Sequence, residues 1–160
     1  MDPLNTHVKA YNELLKLHQI DLQILGIGAN GHIAFNEPGT SFNSVTHIVK
    51  LSEKTKQDNA RFFKDKTDVP THAITMGIKN IMEAKEIILI ALGSHKAKAI
   101  YEMIYGPYSE KLPASALQKH AHMTVYLDTE AASLLNKSNK DRINQSFFDA
   151  TSKVISLEMI

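Results

Sequence analysis

The chain has 160 residues, 43% of them hydrophobic, so it is long enough for one domain with a proper core and too short for two. A formal net charge of +1 excludes the strong field expected of a protein that binds nucleic acid or an acidic membrane surface. The absence of cysteine excludes disulfides, thiolate nucleophiles and sulfur-ligated zinc. We therefore expect one domain over residues 1–160 that acts on a small molecule, with no cofactor and no metal.

The apolar segments of the chain are short. The longest strongly apolar run, Ile87 to Leu92, is far below the length of a membrane span, and Met1 to Asn5 lacks the basic-then-apolar pattern of a signal sequence. These features predict a cytoplasmic protein without a membrane partner.

Apolar periodicity predicts an alternation of helices and strands along the chain. Helical spacing from Leu4 to Leu17 predicts an amphipathic helix at the start. Strands are predicted at residues 20–25, 45–51, 72–77, 86–92 and 123–127, and further helices at residues 52–66, 78–84, 97–104 and 113–117. Residues 136–160 read as a polar C-terminal tail.

This alternation predicts an α/β fold with a doubly wound, mostly parallel sheet and helices on both faces. The opening helix has no strand before it, so we expect a Rossmann-like sheet that is incomplete at its N-terminus. The strands ending at Leu25 and Leu92 are expected to be close neighbours, with both following loops at one edge. Ligands bind at that edge in open α/β sheets.

The loop after the first predicted strand is rich in glycine. Gly26, Gly28 and Gly31 spell the G-x-G-x-x-G dinucleotide fingerprint, which needs a helix to begin at once so that its N-terminus faces a pyrophosphate. Pro38-Gly39 follows within eight residues of Gly31, which leaves no room for a long helix. The pattern therefore fits a dinucleotide site poorly.

The same loop holds a histidine and a carboxylate. Histidine is the residue type best suited to exchange a proton under physiological conditions, and the glycines around His32 let a ligand approach it closely. Glu37, five residues on, could orient the imidazole and raise its basicity. The alternative is an inert surface histidine beside a glutamate that caps a backbone N–H.

A second candidate follows the most apolar strand. The turn Gly93-Ser94-His95-Lys96 opens a helix, where unpaired N–H groups, the helix dipole and a lysine favour an anion. The plain alternative is a solvated lysine in an ordinary strand-to-helix turn. The His120-x-His122 spacing has no nearby carboxylate pair, so we expect packing there and no metal site.

The segment Gly28-Ala29-Asn30-Gly31-His32-Ile33-Ala34-Phe35-Asn36-Glu37-Pro38-Gly39 resembles the signature of the glucosamine-6-phosphate deaminases, which isomerise an amino-sugar phosphate and release ammonia. The resemblance extends from about residue 4 to about residue 135 and covers the C-terminal part of that family's usual chain. It implies that His32 shuttles a proton at the ring oxygen while Asn30 and Glu37 position it. It also implies that Arg61 and Lys96 bind the phosphate and that the loop contacts the substrate through Gly28, Gly31 and Ala34.

Two family features have no counterpart in this sequence. The family's glycine- and threonine-rich phosphate loop is absent before residue 20, and so is the Asp-Glu-Tyr segment whose aspartate moves a proton between C2 and C1. The resemblance therefore implies poor turnover by this chain alone. The alternatives are a catalytically silent chain that still binds sugar phosphate and a hydrolase similar to the 6-phosphogluconolactonases. The oligomeric state is left open, with a homo-oligomer as one option.

Overall fold

A computed structural model describes residues 3–135 and 154–159 as an alternation of helices and strands. The helices are α1 (Pro3–Leu17), α2 (Glu53–Asn59), α3 (Ile78–Met82) and α4 (Ala97–Tyr105). The strands are β1 (Leu22–Leu25), β2 (His47–Lys50), β3 (His72–Thr75), β4 (Glu86–Ala91), β5 (His122–Leu127) and β6 (Val154–Met159). Short 3₁₀ helices span Ala60–Phe62, Lys66–Asp68, Ser94–Lys96 and Pro113–Lys119. The predicted elements up to residue 127 are present, with shifted ends.

Four strands form a parallel sheet in the order β1-β4-β5-β6. Leu25 lies beside Leu89, so the predicted adjacency of the first strand and the most apolar strand is confirmed. The α/β class with a parallel sheet is confirmed as well. Strand β6 lies within the segment read as a polar tail, and the rest of that segment, residues 136–153 and 160, lies outside the described residues.

Strands β2 and β3 form a separate antiparallel pair, which the prediction of one mostly parallel sheet did not anticipate. Each has four residues and is partly exposed along its length, so neither has the continuous apolar sequence of a strand buried inside a parallel sheet. Polar contacts attach the pair to its surroundings. Thr46 donates its N–H to the Asn80 side chain at 2.6 Å, and the Asn12 side-chain amide donates to the Thr46 carbonyl at 3.0 Å.

The core lies on one face of the parallel sheet. Ile87 and Leu89 of β4 and Val125 of β5 are fully buried there in one cluster with residues of α3, α4 and the 3₁₀ helix Pro113–Lys119. On the opposite face, large apolar side chains of β1 and β4 remain exposed. Within residues 3–135 and 154–159, no helix has the length and apolar character that a membrane span requires.

Candidate active site

The glycine loop leaves β1 at its carboxyl end. Its turns are closed by backbone bonds from the Gly28 N–H to the His32 carbonyl and from the Gly31 N–H to the Gly28 carbonyl, both 2.9 Å. Gly31 has φ +81°, a conformation that favours glycine, and a Cβ there would overlap the side chain of Leu112. The residues after Gly31 form turns and an isolated bridge, so the helix that a dinucleotide fingerprint needs does not follow.

Asn30, His32 and Glu37 form one hydrogen-bonded cluster on this loop. The Asn30 side-chain oxygen lies 2.8 Å from His32 Nδ1, and the Asn30 amide nitrogen donates to Glu37 Oε2 at 2.7 Å. The second Glu37 oxygen lies 3.6 Å from His32 Nδ1. The loop thus brings together three residues that the resemblance assigns to catalysis.

This arrangement selects a tautomer of His32. A carboxylate only accepts hydrogen bonds, so Glu37 fixes the amide nitrogen of Asn30 toward itself and the amide oxygen toward the imidazole. The Nδ1 atom therefore carries the proton, and the lone pair of neutral His32 is on Nε2. The His32 side chain is 33% exposed, so a ligand can reach it.

Gly28 makes room for the imidazole. A Cβ built on Gly28 would lie 2.3 Å from both Nδ1 and Cε1 of His32 and 2.6 Å from Nε2. A side chain at residue 28 would therefore compete with the ring for the same space. Gly26, by contrast, has open space around its Cβ position.

The segment between His32 and Glu37 is anchored beneath the site. Ile33 and Asn36 are fully buried, and the Asn36 amide donates to the Ile33 carbonyl at 3.0 Å and to the Met76 carbonyl at 2.8 Å. Ala34 lies between them with φ +50°, the one positive φ among the described non-glycine residues. This turn, anchored by the buried side chains of Ile33 and Asn36, returns Glu37 to the imidazole. Asn36 was not among the predicted site residues, because its anchor, Met76, is distant in the sequence.

The turn after β4 differs from the predicted anion site. Gly93 has φ +89°, and its N–H donates to Asp128 at 2.9 Å, while the Ser94 N–H donates to Glu130 at 3.3 Å. Asp128 also accepts from the Ala131 N–H at 2.7 Å. Two of the N–H groups expected to attract an anion are thus already bonded to carboxylates. Asp128 and Glu130 follow β5, and they reach the turn after β4 because β5 pairs with β4.

Arg61 and Lys96, the two side chains predicted to bind phosphate, lie in separate 3₁₀ helices. Lys96 ends the 3₁₀ helix Ser94–Lys96, after the strand adjacent to β1. Arg61 lies in the 3₁₀ helix Ala60–Phe62, exposed, with its guanidinium carbon 4.8 Å from the centre of the Phe62 ring. That contact is local, and the convergence of Arg61 with Lys96 on one phosphate stays a prediction.

His120 has a packing role. It is buried, and its ring nitrogens lie 2.9 Å from the Ala84 carbonyl and 2.8 Å from the His122 carbonyl. Across the described part of the chain, no three histidine, aspartate or glutamate side chains are grouped in a way that could hold a metal ion.

The fold and this loop define the class of protein. Residues 2–126 match the model of a family described as glucosamine-6-phosphate isomerases/6-phosphogluconolactonase, and the chain belongs to that family. The matched range includes the cluster around His32 as well as Arg61 and Lys96.

Curated relatives give a narrower comparison. The chain is 54% identical over 144 residues to glucosamine-6-phosphate deaminase of Bacillus cereus (strain B4264) and 55% identical to that of Bacillus anthracis (strain A0248). Each match covers 90% of this chain and 55% of the relative, so the chain spans about half the length of these relatives.

Solved structures agree on the fold. A structure described as a monomeric glucosamine-6-phosphate deaminase is 50% identical with a TM-score of 0.77, over 84% of this chain and 56% of that chain. The 6-phosphogluconolactonase of Trypanosoma brucei is 21% identical with a TM-score of 0.62, over 81% of this chain and 52% of that chain, and this likeness shows the fold alone.

Proposed function

We propose that this chain carries the ring-opening acid–base site of a glucosamine-6-phosphate deaminase, with His32 as the catalytic residue. The observation that carries the proposal is the bonded series Glu37–Asn30–His32, which fixes the imidazole with Nε2 available to a ligand. Relatives that are 54–55% identical over 144 residues bear that enzyme's name. The proposed partner is a small amino-sugar phosphate, and none of the proposed steps uses a cofactor.

The ring-opening step needs one group that moves a proton. The Nε2 atom of neutral His32 accepts the proton of the C1 hydroxyl. The resulting imidazolium then donates a proton to the ring oxygen while the bond between C1 and the ring oxygen breaks. The products are the open-chain aldehyde and neutral His32, so charge and protons balance. Asn30 and Glu37 stabilise the transient imidazolium through an oxygen at 2.8 Å and a carboxylate at 3.6 Å.

The phosphate is assigned to the side chains of Arg61 and Lys96. Because the Gly93 and Ser94 N–H groups are bonded to carboxylates, the side-chain charges carry more of this interaction than the backbone of the turn. Gly28, Gly31 and Ala34 would let the sugar approach the main chain of the loop. A phosphorylated sugar does not cross a bilayer unaided, which favours a cytoplasmic location.

Anomer exchange isolates the proposed step from the rest of the reaction. Interconversion of the α and β anomers of glucosamine 6-phosphate passes through the open chain, so His32 should accelerate it even where no base serves C2. We expect exchange-spectroscopy NMR to show faster interconversion with the chain and a loss of about 10²–10⁴-fold of that acceleration in His32→Ala. His18→Ala, which alters an exposed histidine just after α1, is the matched control.

Two further measurements test the substrate class. Calorimetry should show tighter binding of glucosamine 6-phosphate than of glucosamine, and equal affinity would contradict the phosphate assignment. Hydrolysis of 6-phosphogluconolactone without anomer exchange would favour the hydrolase alternative.

We expect the 160-residue chain alone to release ammonia very slowly, because we assign no base for C2 among the described residues. Ammonia release at an ordinary enzyme rate, abolished in His32→Ala, would refute that expectation.

A further inference from the structure

The segment that follows α4 is held in one shape by its own hydrogen bonds. Ser115, which is fully buried, accepts the Ser109 N–H at 2.9 Å and donates its hydroxyl to the Ser109 carbonyl at 2.9 Å. The Gln118 side-chain amide donates to the Gly106 carbonyl at 3.0 Å. We call residues 106–114 the crossing segment. Because its own bonds fix its shape, it can act as a support for a neighbouring loop.

The crossing segment contacts the glycine loop just before His32. The Ala114 N–H donates to the Gly31 carbonyl at 2.9 Å. The Leu112 side chain occupies the space that a Cβ on Gly31 would need. Gly31 lies between Asn30 and His32 in the sequence, so these two contacts hold the main chain at the first half of the hydrogen-bonded cluster.

Glu110 of the crossing segment holds the chain on the other side of the cluster, after Glu37. Its backbone carbonyl accepts the Gly39 N–H at 2.8 Å, and its side-chain Oε1 accepts the Phe42 N–H at 2.9 Å. A hydrogen bond to a charged acceptor is stronger than one between neutral groups. The two bonds come from different parts of one residue, so a substitution of Glu110 removes the second bond and keeps the first.

A short series of bonds connects Glu110 to the imidazole. Thr40 lies within the stretch that Glu110 holds, and it donates its N–H at 3.0 Å and its hydroxyl at 2.7 Å to the Glu37 carbonyl. The Glu37 carboxylate accepts the Asn30 amide at 2.7 Å, and the Asn30 oxygen lies 2.8 Å from His32 Nδ1. A shift of the main chain near Thr40 would therefore be transmitted to the ring.

Phe42 has a second contact with the crossing segment. Its ring lies 4.5 Å from the ring of Tyr108, and Lys119 Nζ lies 3.7 Å from the centre of the Tyr108 ring. Aromatic pairs and cations over aromatic rings are favourable contacts. Neither contact involves the carboxylate of Glu110, which is an exposed residue. We therefore expect the two segments to stay together, and the protein to fold, when that carboxylate is removed.

We propose that Glu110 is a positioning residue for the candidate site: its carboxylate fixes the main chain at Phe42 and thereby the place of Glu37 beside His32. Without that carboxylate, Glu37 would no longer hold the Asn30 amide in one orientation. The Nδ1–H form of the imidazole would then lose its fixed acceptor, and its lone pair would no longer be confined to Nε2. This effect on the ring is independent of any reaction, whereas its effect on catalysis rests on the proposed function.

Three variants of the 160-residue chain test the proposal. Glu110→Ala removes the acceptor, Glu110→Gln keeps an oxygen acceptor, and Glu13→Ala alters an exposed glutamate on α1 as the matched control. Nitrogen-15 spectra of the histidine rings report the tautomer, and His32→Ala identifies the signals of that ring. We expect Glu110→Ala to lower the fraction of the Nδ1–H form, Glu110→Gln to restore most of it, and Glu13→Ala to leave it unchanged. Circular dichroism verifies that the variants fold.

Anomer exchange of glucosamine 6-phosphate gives the kinetic measurement. At saturating sugar phosphate, the acceleration should fall about tenfold in Glu110→Ala, which is less than the roughly 10²-fold cost of a 1 Å displacement. The KM should stay within about twofold, because the lost interaction acts on the transition state through His32 and the phosphate is assigned to other side chains. Glu110→Gln should recover most of the acceleration.

The outcomes separate the hypotheses. An unchanged tautomer with unchanged acceleration in Glu110→Ala would overturn the proposal. So would equal losses in Glu110→Ala and Glu110→Gln, since the hydrogen bond to the Phe42 N–H would then not be the cause. A rise in KM alone would also overturn it, since Glu110 would then act on binding. A changed tautomer in Glu110→Ala, in a chain whose anomer exchange does not depend on His32, would support the positioning and count against the proposed function.

Discussion

Replacing Gly28 by alanine should disable the candidate site without unfolding the protein. The new Cβ would lie 2.3 Å from Nδ1 and Cε1 of His32, whereas ordinary contacts of a Cβ begin near 3.4 Å. The imidazole must then move by about 1 Å, a displacement that can cost on the order of 10²-fold in rate. The 2.8 Å contact with Asn30 would be lost with it.

The fold should tolerate this change. Gly28 is not among the positive-φ residues, and the atoms that its Cβ would meet belong to a side chain that is one-third exposed and free to swing outward. Although Gly28 is buried, we therefore expect the free energy of unfolding to change by only about 1 kcal/mol, because a side chain and not the backbone gives way. Gly26→Ala is the matched control, because the Cβ of residue 26 would meet open space and the residue has no positive φ.

The assay follows the His32 ring directly. Nitrogen-15 correlation spectra of the ring report the tautomer, and anomer exchange of glucosamine 6-phosphate reports the proposed chemistry. Gly28→Ala should shift the ring away from the Nδ1–H form and lower the acceleration about 10²-fold, while Gly26→Ala changes neither. A Gly28→Ala variant with an unaltered tautomer and full acceleration would refute the reasoning.

Three further predictions concern stability. Gly31→Ala should cost about 1–3 kcal/mol in urea unfolding, because φ +81° strains a non-glycine residue and the Cβ would overlap Leu112. His120→Phe should cost about 1–3 kcal/mol, since the buried Ala84 carbonyl loses its ring partner, and added zinc should not stabilise the parent chain. Burial raises the pKa of Tyr105 above its ordinary value of 10, and the neighbouring Tyr101 adds to this effect. The protonated Tyr105 side chain therefore contributes to the free energy of unfolding below pH 10, and this contribution is lost as the pH rises through the folded-state pKa. Tyr105→Phe should therefore flatten the fall of thermal stability above pH 10 and leave stability at pH 7 unharmed, because the buried hydroxyl has no hydrogen-bond partner within residues 3–135 and 154–159.

The hydrogen-bonded cluster of Asn30, His32 and Glu37 could be predicted from sequence because it is local. Asn30, His32 and Glu37 lie within eight residues, and a single loop after β1 fixes their mutual geometry. The adjacency of β1 and β4 was predicted from the site, because His32 and Lys96 can serve one ligand only if the loops after these two strands lie at one edge of the sheet. Local pattern and general topology were sufficient for these features.

Other features depend on contacts that no local pattern encodes. Asp128 reaches the Gly93 turn only because β5 pairs with β4, and Asn36 is anchored by Met76, forty residues away. Strand β6 was read only as the end of a polar tail, and its role as a strand depends on its pairing with β5. In each case the tertiary arrangement, and not the residue's own neighbourhood, determines the role.

The carboxylates at the Gly93 turn also bear on how the substrate would be oriented. A phosphate dianion placed on the Gly93 and Ser94 N–H groups would have to displace Asp128 and Glu130, and like charges at such short range repel. Under the proposed function, the side chain of Lys96, three residues after Gly93, would bind the phosphate in place of the N–H groups of the turn. The phosphate would then lie outside the turn, which leaves the sugar ring free to extend toward the neighbouring loop of β1 and His32. Under the proposed function, the two acids that weaken the turn as an anion site would therefore direct a sugar phosphate toward the loop that carries His32.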